Sequence, residues 1–352
     1  MSFAKRARRL PGDDDGDRGG FERGRNLHAS LHHPVARAWS EPSIRARQLM
    51  YPVFVSDRAD DRAVAGFEPN KQWGQADQYA SLVRHLGELA RRGLSSVMLF
   101  GVVSTKSADA HLADAHTTPV VTAIRAIRQG VPSMFVAADV CLCEYTANGH
   151  CGFCRDDVEF ETEAVIDNAR TVARLTQVAV AYARAGAHMV CPSDMMDGRV
   201  GSIRAALERE NFAHVMIMAY TSKKASVMYA PFRNAVESTF QGTRTRYQHP
   251  VGSTTHAVLA LERDLAEGAD VVIVKPSLFY GDLVRDLSSA SPLPVAVYVV
   301  SGEYVMLRGY GQLTGDLESV VKEAHVCMLR AGATLLITYF APDILDWLPR
   351  WG

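Results

Sequence analysis

The chain has no apolar run approaching the roughly 20 residues that a membrane-crossing helix needs. It has no Gly-x-Gly-x-x-Gly loop, and it carries a net charge of only −1 over 352 residues. The first absence leaves no candidate spanning helix, so no membrane partner is expected. The second counts against a doubly wound dinucleotide fold. The third removes the strong field that would gather nucleic acid. The opening Met-Ser-Phe-Ala-Lys-Arg-Ala-Arg-Arg runs into Pro11, Gly12 and three aspartates. An export signal would place its apolar core there, so a cytoplasmic location is expected. Cysteine is scarce and unevenly spread: of six, Cys141, Cys143, Cys151 and Cys154 fall within fourteen residues. In a large chain not expected to be exported, such a cluster points to metal or chemistry rather than to disulfides.

What is present is ordinary in bulk, 47% hydrophobic and 22% charged, as in a globular enzyme. Residues 1–26 are rich in Arg, Asp and Gly and cannot bury enough apolar surface to offset their ordering entropy. A disordered tail is expected there. Residues 27–48 carry Leu31, Val35 and Trp39 among scattered arginines and read as an arm that packs on something. From residue 49 to the end the pattern becomes regular. Short, nearly continuous apolar runs occur at 50–55, 96–102, 134–140, 188–194, 215–221, 270–276, 295–301 and 334–340, as expected of strands buried on both faces. Helical periodicity lies between them, for example at 76–93, 171–186, 199–211, 255–267 and 317–331. Gly93, Gly186, Gly268 and Gly332 each sit just before a strand, where glycine caps a helix. Eight strands alternating with helices predict an α/β fold, a single (β/α)8 TIM barrel. A doubly wound open sheet is the alternative.

Barrels of this kind place their active sites at the C-terminal ends of the strands. Six of the eight runs end in polar groups, among them Asp139, Ser193, Lys223, Lys275, Ser301 and Tyr339. Lys275 closes the apolar run Val271–Val274. Poor solvation there lowers an amine's pKa, and a neutral amine can attack a ketone to give a Schiff base. Lys223 ends the preceding run, so the amines should be close and each should depress the other. Lys224 is the expected bystander, because neighbouring residues on a strand face opposite ways. Two surface lysines in adjacent loops is the bland reading. Cys141, Cys143 and Cys151 suit a zinc ion. Three ligands leave a coordination position open for water or substrate. Cys154 could instead complete a closed four-cysteine structural site, or the thiols could stay metal-free. Arg233 and Arg244 suit carboxylates, or they are solvated surface.

These residues resemble a known family. Asp139-Val140-Cys141-Leu142-Cys143-Glu144-Tyr145-Thr146, closing with Gly149-His150-Cys151-Gly152, is similar to the metal loop of zinc-dependent porphobilinogen synthases. So are Pro192-Ser193-Asp194-Met195-Met196-Asp197-Gly198-Arg199, Val274-Lys275-Pro276 and Val300-Ser301-Gly302-Glu303-Tyr304. The resemblance runs from about residue 27 to the C-terminus. It implies a lyase that condenses two molecules of 5-aminolevulinate, with loss of two waters, in tetrapyrrole (heme) biosynthesis. It implies Lys275 as the Schiff-base lysine of the first substrate and Lys223 as the lysine holding the second. Cys141, Cys143 and Cys151 match the catalytic zinc ligands. Arg233 and Arg244 match the groups on the second substrate's carboxylate, and Ser301 and Tyr339 those on the first. Asp139 and Ser193 line the same pocket. Family members form homo-octamers whose arms embrace neighbours, so a homo-oligomer, octamer or lower, is expected. The chain also departs from the family. Val299 follows Tyr298 where His is frequent, Arg246 stands where some members have a further cysteine, and Ala260 stands where many bacterial members bind magnesium through Glu. The departures leave room for a related 4-oxo acid as substrate, and a catalytically silent metal-binding barrel is the reading from another class.

Overall fold

The computed structural model describes residues 27–155 and 165–351. The expected tail, residues 1–26, lies outside them. The chain divides into two units, Met1–Pro42 and Ser43–Gly352. The first holds a 3-10 turn, Leu27–Ser30, and a short helix, Pro34–Ala38, whose N-cap is the His33 side chain.

In the second unit eight strands form one parallel sheet: β1 Leu49–Ser56, β2 Ser96–Val102, β3 Phe135–Val140, β4 Met189–Pro192, β5 Met216–Lys223, β6 Val271–Lys275, β7 Val295–Val299 and β8 Leu335–Thr338. Consecutive strands pair in order, and β8 pairs back onto β1 through Leu49↔Leu336 and Met50↔Ile337. The sheet closes into a barrel, and the open-sheet alternative falls. Each strand begins within about two residues of its apolar run, because a strand covered on both faces must be apolar throughout. All eight residues of β1 are buried.

The helices surround the sheet: α1 Ala80–Arg91, α2 Pro119–Gly130, α3 Asn168–Ala185, α4 Arg199–Arg209, the short α5 Ala230–Ala235, α6 Thr255–Ala266, α7 Gly281–Ala290, α8 Ser301–Thr314, α9 Leu317–Ala331 and α10 Ala341–Trp351. In α1, Leu82, Leu86 and Leu89 are the buried face, the i, i+4, i+7 stripe of an amphipathic helix. The four capping glycines have φ of 103° (Gly93), 106° (Gly186), 90° (Gly268) and 117° (Gly332). That left-handed region is open to glycine without penalty. No helix among the described residues is long and apolar enough to cross a membrane.

Two departures from the alternating pattern matter for the site. A small antiparallel pair, Arg62–Ala63 and Lys71–Trp73, follows β1 and adds its second strand to the end of β1. Strand β5 carries a bulge. Its partners on β6 run Ala219↔Val272 and then Ser222↔Val274, three steps against two.

Candidate active site

The bulge decides which lysine enters the barrel. On a regular strand, residues three apart face opposite sides, so Tyr220 and Lys223 would diverge. One extra residue restores a common facing. Lys223 Nζ lies 5.5 Å from the Tyr220 ring centre, and Lys275 Nζ lies 5.1 Å from the same ring. Lys223 and Lys275 are direct partners across the β5–β6 ladder. Lys224 turns the other way. Its Nζ donates to the carbonyls of Ser253 and Pro250, pinning the loop that leads into α6.

Lys275 is 5% exposed, and its amine sits among rings. Tyr298 is 4.2 Å away, Phe232 5.3 Å, Tyr229 5.6 Å and Phe100 5.9 Å. Among the described residues its Nζ has no hydrogen-bond partner. Burial, followed by the Lys223 cation, brings its pKa from 10.5 down to about 7. The two amines do not depress each other symmetrically, contrary to the sequence expectation. Burial works to lower Lys223, but the thiols of Cys151, Cys141 and Cys143 outweigh it and leave Lys223 above its ordinary value. Lys223 Nζ also donates to the Ser193 carbonyl. The two lysines thus differ, one titrating near pH 7 and one held as a cation.

Beside them, Ser193 Oγ donates to Asp139 Oδ2 at 2.9 Å, while Asp139 Oδ1 is buried without a partner. Burial raises the Asp139 carboxyl, against the lowering pull of Lys275 and Lys223. The group can hold or release a proton next to the neutral amine.

The loop after β3 folds back on itself. Tyr145 N and Thr146 N donate to the Leu142 carbonyl at 2.9 and 2.8 Å, and Thr146 Oγ1 donates to the His150 carbonyl at 2.9 Å. Gly149, at φ 69°, lets the loop pass the Phe240 backbone, where a Cβ would meet Phe240 N at 2.6 Å. The sulfurs of Cys141, Cys143 and Cys151 all come within 4.8 Å of one another, and no disulfide links them. A zinc ion with bonds of about 2.3 Å would space tetrahedral sulfurs about 3.8 Å apart, so the trio fits one. Burial pushes the Cys141 thiol up. Hydrogen bonds from Cys141 and Cys143, with Arg244 and Lys223 adding to them, hold Cys151 well below its ordinary value. Cys154 does not join the cluster. Its sulfur accepts from Asn148 Nδ2 at 3.3 Å, which removes the four-cysteine structural reading.

Arg233, on α5, and Arg244 both stack on Phe240, at 5.1 and 4.6 Å from the ring centre. Arg244 donates to the Gly149 carbonyl at 2.7 Å. The Nε of each is buried without a partner. A half-buried and a buried cation, each with a spare donor, suit an anion.

One cavity has Asp139, Cys143, Ser193, Lys223, Arg233, Arg244 and Lys275 on its polar side and Phe100, Tyr229 and Phe232 on its apolar side. Ser301 and Tyr339 are not on its wall. Ser301 Oγ accepts from Phe232 N at 2.9 Å, and the Tyr339 hydroxyl is paired with that of Tyr298 at 2.9 Å. The Tyr298 ring that lies 4.2 Å from Lys275 Nζ thus links Tyr339 to the lysine pair, and the Phe232 backbone occupies the Ser301 hydroxyl. The apolar wall escaped the sequence reading. Phe100 and Tyr298 were within reach as strand-end aromatics, but no local signal marks Phe232. Glu144 also lines the cavity, with one oxygen taken by Gly101 N at 3.0 Å.

A closed parallel barrel with lysines, thiols and arginines converging at one mouth defines a barrel enzyme. The family model for delta-aminolevulinic acid dehydratase matches residues 23–347, and the chain belongs to that family. It is 42% identical to the delta-aminolevulinic acid dehydratase of Candida glabrata over 92% of this chain and 94% of that one. It is 41% identical to the Bos taurus enzyme over 92% and 98%. Among solved structures, the Toxoplasma gondii delta-aminolevulinic acid dehydratase, in complex with its reaction product porphobilinogen, superimposes with a TM-score of 0.86 at 33% identity, covering 91% of this chain and 90% of that one.

Proposed function

We propose that the chain condenses two molecules of 5-aminolevulinate to porphobilinogen, releasing two waters, in tetrapyrrole (heme) biosynthesis. Family membership supports the overall reaction. The observation that carries the mechanism is the in-register pair Lys223 and Lys275, one amine titrating near pH 7 and one cationic, in a cavity shared with the Cys143 thiol and two arginines.

The neutral Lys275 amine adds to the ketone of the first substrate and expels water, giving an imine. The imine makes the neighbouring C–H acidic. Asp139, steadied by Ser193, is placed to take or return that proton. Lys223 would hold the second substrate as a cation, and a second imine there would require it first to give up its proton. The spare donors of Arg233 and Arg244 suit that substrate's carboxylate. Ser301 and Tyr339 would serve the first substrate's carboxylate by exchanging their present partners, Phe232 N and the Tyr298 hydroxyl. Cys141, Cys143 and Cys151 would hold zinc, which when bound supplies Lewis acidity toward the second substrate. Holding both substrates in one cavity replaces an encounter in solution with a fixed approach.

We further assign the chain to the cytoplasm as a homo-oligomer, octamer or lower. Leu31, Val35 and Trp39, four residues apart along the arm, give it one apolar face for a neighbouring copy. The deciding experiment is incubation with 5-aminolevulinate, followed by Ehrlich's reagent and by borohydride trapping with peptide mapping. Pyrrole colour and a label on Lys275 are expected. Colour without a label on either lysine would sink the imine mechanism. A label without colour would point to a related 4-oxo acid.

A further inference from the structure

Glu303 has no exposed surface, although it carries a carboxylate. It belongs to the first turn of α8 but reaches into two different loops. Its Oε1 accepts from the backbone N–H of Ser277 at 3.0 Å and of Leu278 at 2.7 Å. Its Oε2 accepts from Val300 N at 2.8 Å and, more weakly, from Ser277 Oγ at 3.4 Å. Ser277 and Leu278 follow Lys275 directly after β6. Val300 immediately precedes Ser301 after β7. Among the described residues no cationic side chain pairs with Glu303. Its charge is met by backbone amides and by the start of its own helix, where anions are favoured.

We propose that Glu303 is a positioning residue that sets the spacing between Lys275 and Ser301, and so aligns the first substrate's ketone with the Lys275 amine. The proposal rests on the imine reading above. Among the described residues the two loops have no other shared anchor of this kind, and the carboxylate supplies acceptors to both at once. The same helix start also seats the segment that covers the cavity. Phe232 N donates to Ser301 Oγ at 2.9 Å. The turn Val227–Tyr229 packs so closely on Gly302 that a Cβ there would meet the Met228 carbonyl oxygen at 2.5 Å. The Tyr229 hydroxyl donates to the Lys224 carbonyl at 2.8 Å. The Lys275 loop and the Ser301 loop meet at one carboxylate, and the cover rests on the same helix start.

The test is Glu303→Gln. The amide keeps the shape but must aim an NH2 at one loop's N–H donors, so that loop shifts. Misplacement on the ångström scale costs on the order of 100-fold in a positioned reaction. The rate of borohydride labelling at Lys275 with 5-aminolevulinate should fall about 10- to 100-fold, while labelling at Lys223 changes by less than about 2-fold. In steady state kcat should fall more than KM rises. Labelling of Lys275 at the wild-type rate overturns the proposal. So does an equal loss at both lysines, which is the signature of a general structural role. Wild-type protein that labels only Lys223 would fail the imine reading instead. If Glu303→Gln does not fold, judged by circular dichroism, Glu303→Asp serves with the same criteria. It keeps the charge but is one methylene too short to reach both loops.

Discussion

Replacing Lys275 with methionine should stabilise the protein, and by an amount that depends on pH. The amine titrates near 7 in the folded chain against 10.5 when solvated. Each pH unit between those values is worth ~1.4 kcal/mol, so keeping the protonated amine buried costs about 5 kcal/mol. Below pH 7 both states are protonated, and the fold bears the whole penalty. Between 7 and 10.5 the unfolded chain binds a proton that the folded chain does not, so wild-type stability climbs with pH. Near 10.5 the penalty is gone. Methionine is unbranched and one atom shorter, has no titrating proton, and fills most of the same aromatic cage. Lys275→Met should therefore be more stable than wild type by about 4–5 kcal/mol at pH 6.5 and by about 2 kcal/mol at pH 9. Guanidinium unfolding at the two pH values measures this, at one protein concentration because assembly adds to apparent stability. Groups common to both proteins cancel in the difference. A gap that does not change with pH, or a variant weaker than wild type at pH 6.5, would refute the argument that this amine is desolvated.

The same neutral amine makes imine formation rise with pH through about 7 and then level off, so Lys275 labelling at pH 5.5 should be at least about 10-fold slower than at pH 8. Cys141→Ala, or chelation, should abolish activity and metal content with little change in circular dichroism. Unfolding on chelation would mean that the metal holds the barrel together. Lys224→Met should leave the labelling of Lys275 and Lys223 intact while loosening the Pro250–Ser253 loop, read as faster amide exchange there. Arg244→Ala should raise KM about 10- to 100-fold, because a charged hydrogen-bonding partner of the substrate is lost. Millimolar magnesium should give no activation. Ala260 offers no oxygen ligand, a hard cation needs several, and Glu262, two residues on, is turned about 200° around α6.

The eight strands could be read from composition because a strand covered on both faces declares itself by a run of β-branched and apolar residues. The polar groups that end six of the eight runs include Asp139, Ser193, Lys223 and Lys275, which position alone picks out. What could not be read depends on contacts between distant segments. The excursion at Arg62–Trp73 buries too little to leave a periodic trace. Phe232 enters the cavity only because a thirty-residue connection folds over the barrel mouth. Glu303 lies in the first turn of α8, and its partners are mainly backbone amides, which carry no sequence signature. The asymmetry of the two lysines was missed for a similar reason. It depends on three thiols from a loop about eighty residues earlier in the chain.

The bulge in β5 makes the facing of side chains behave like a reading frame. A two-residue period has only two phases, and one extra residue shifts everything after it from one to the other. Downstream of Ala219 that shift sends Lys223 inward and Lys224 outward. Deleting Thr221 would remove the bulge and leave Lys223 opposite Lys275, whereas straightening the strand with Thr221 kept would turn Lys224 inward in its place. A run of two lysines at a strand end is therefore ambiguous by itself. What resolves it is a count of residues against the neighbouring strand, and an alignment that slips by one position near Ala219 would assign the second-substrate amine to the wrong lysine while matching every residue type.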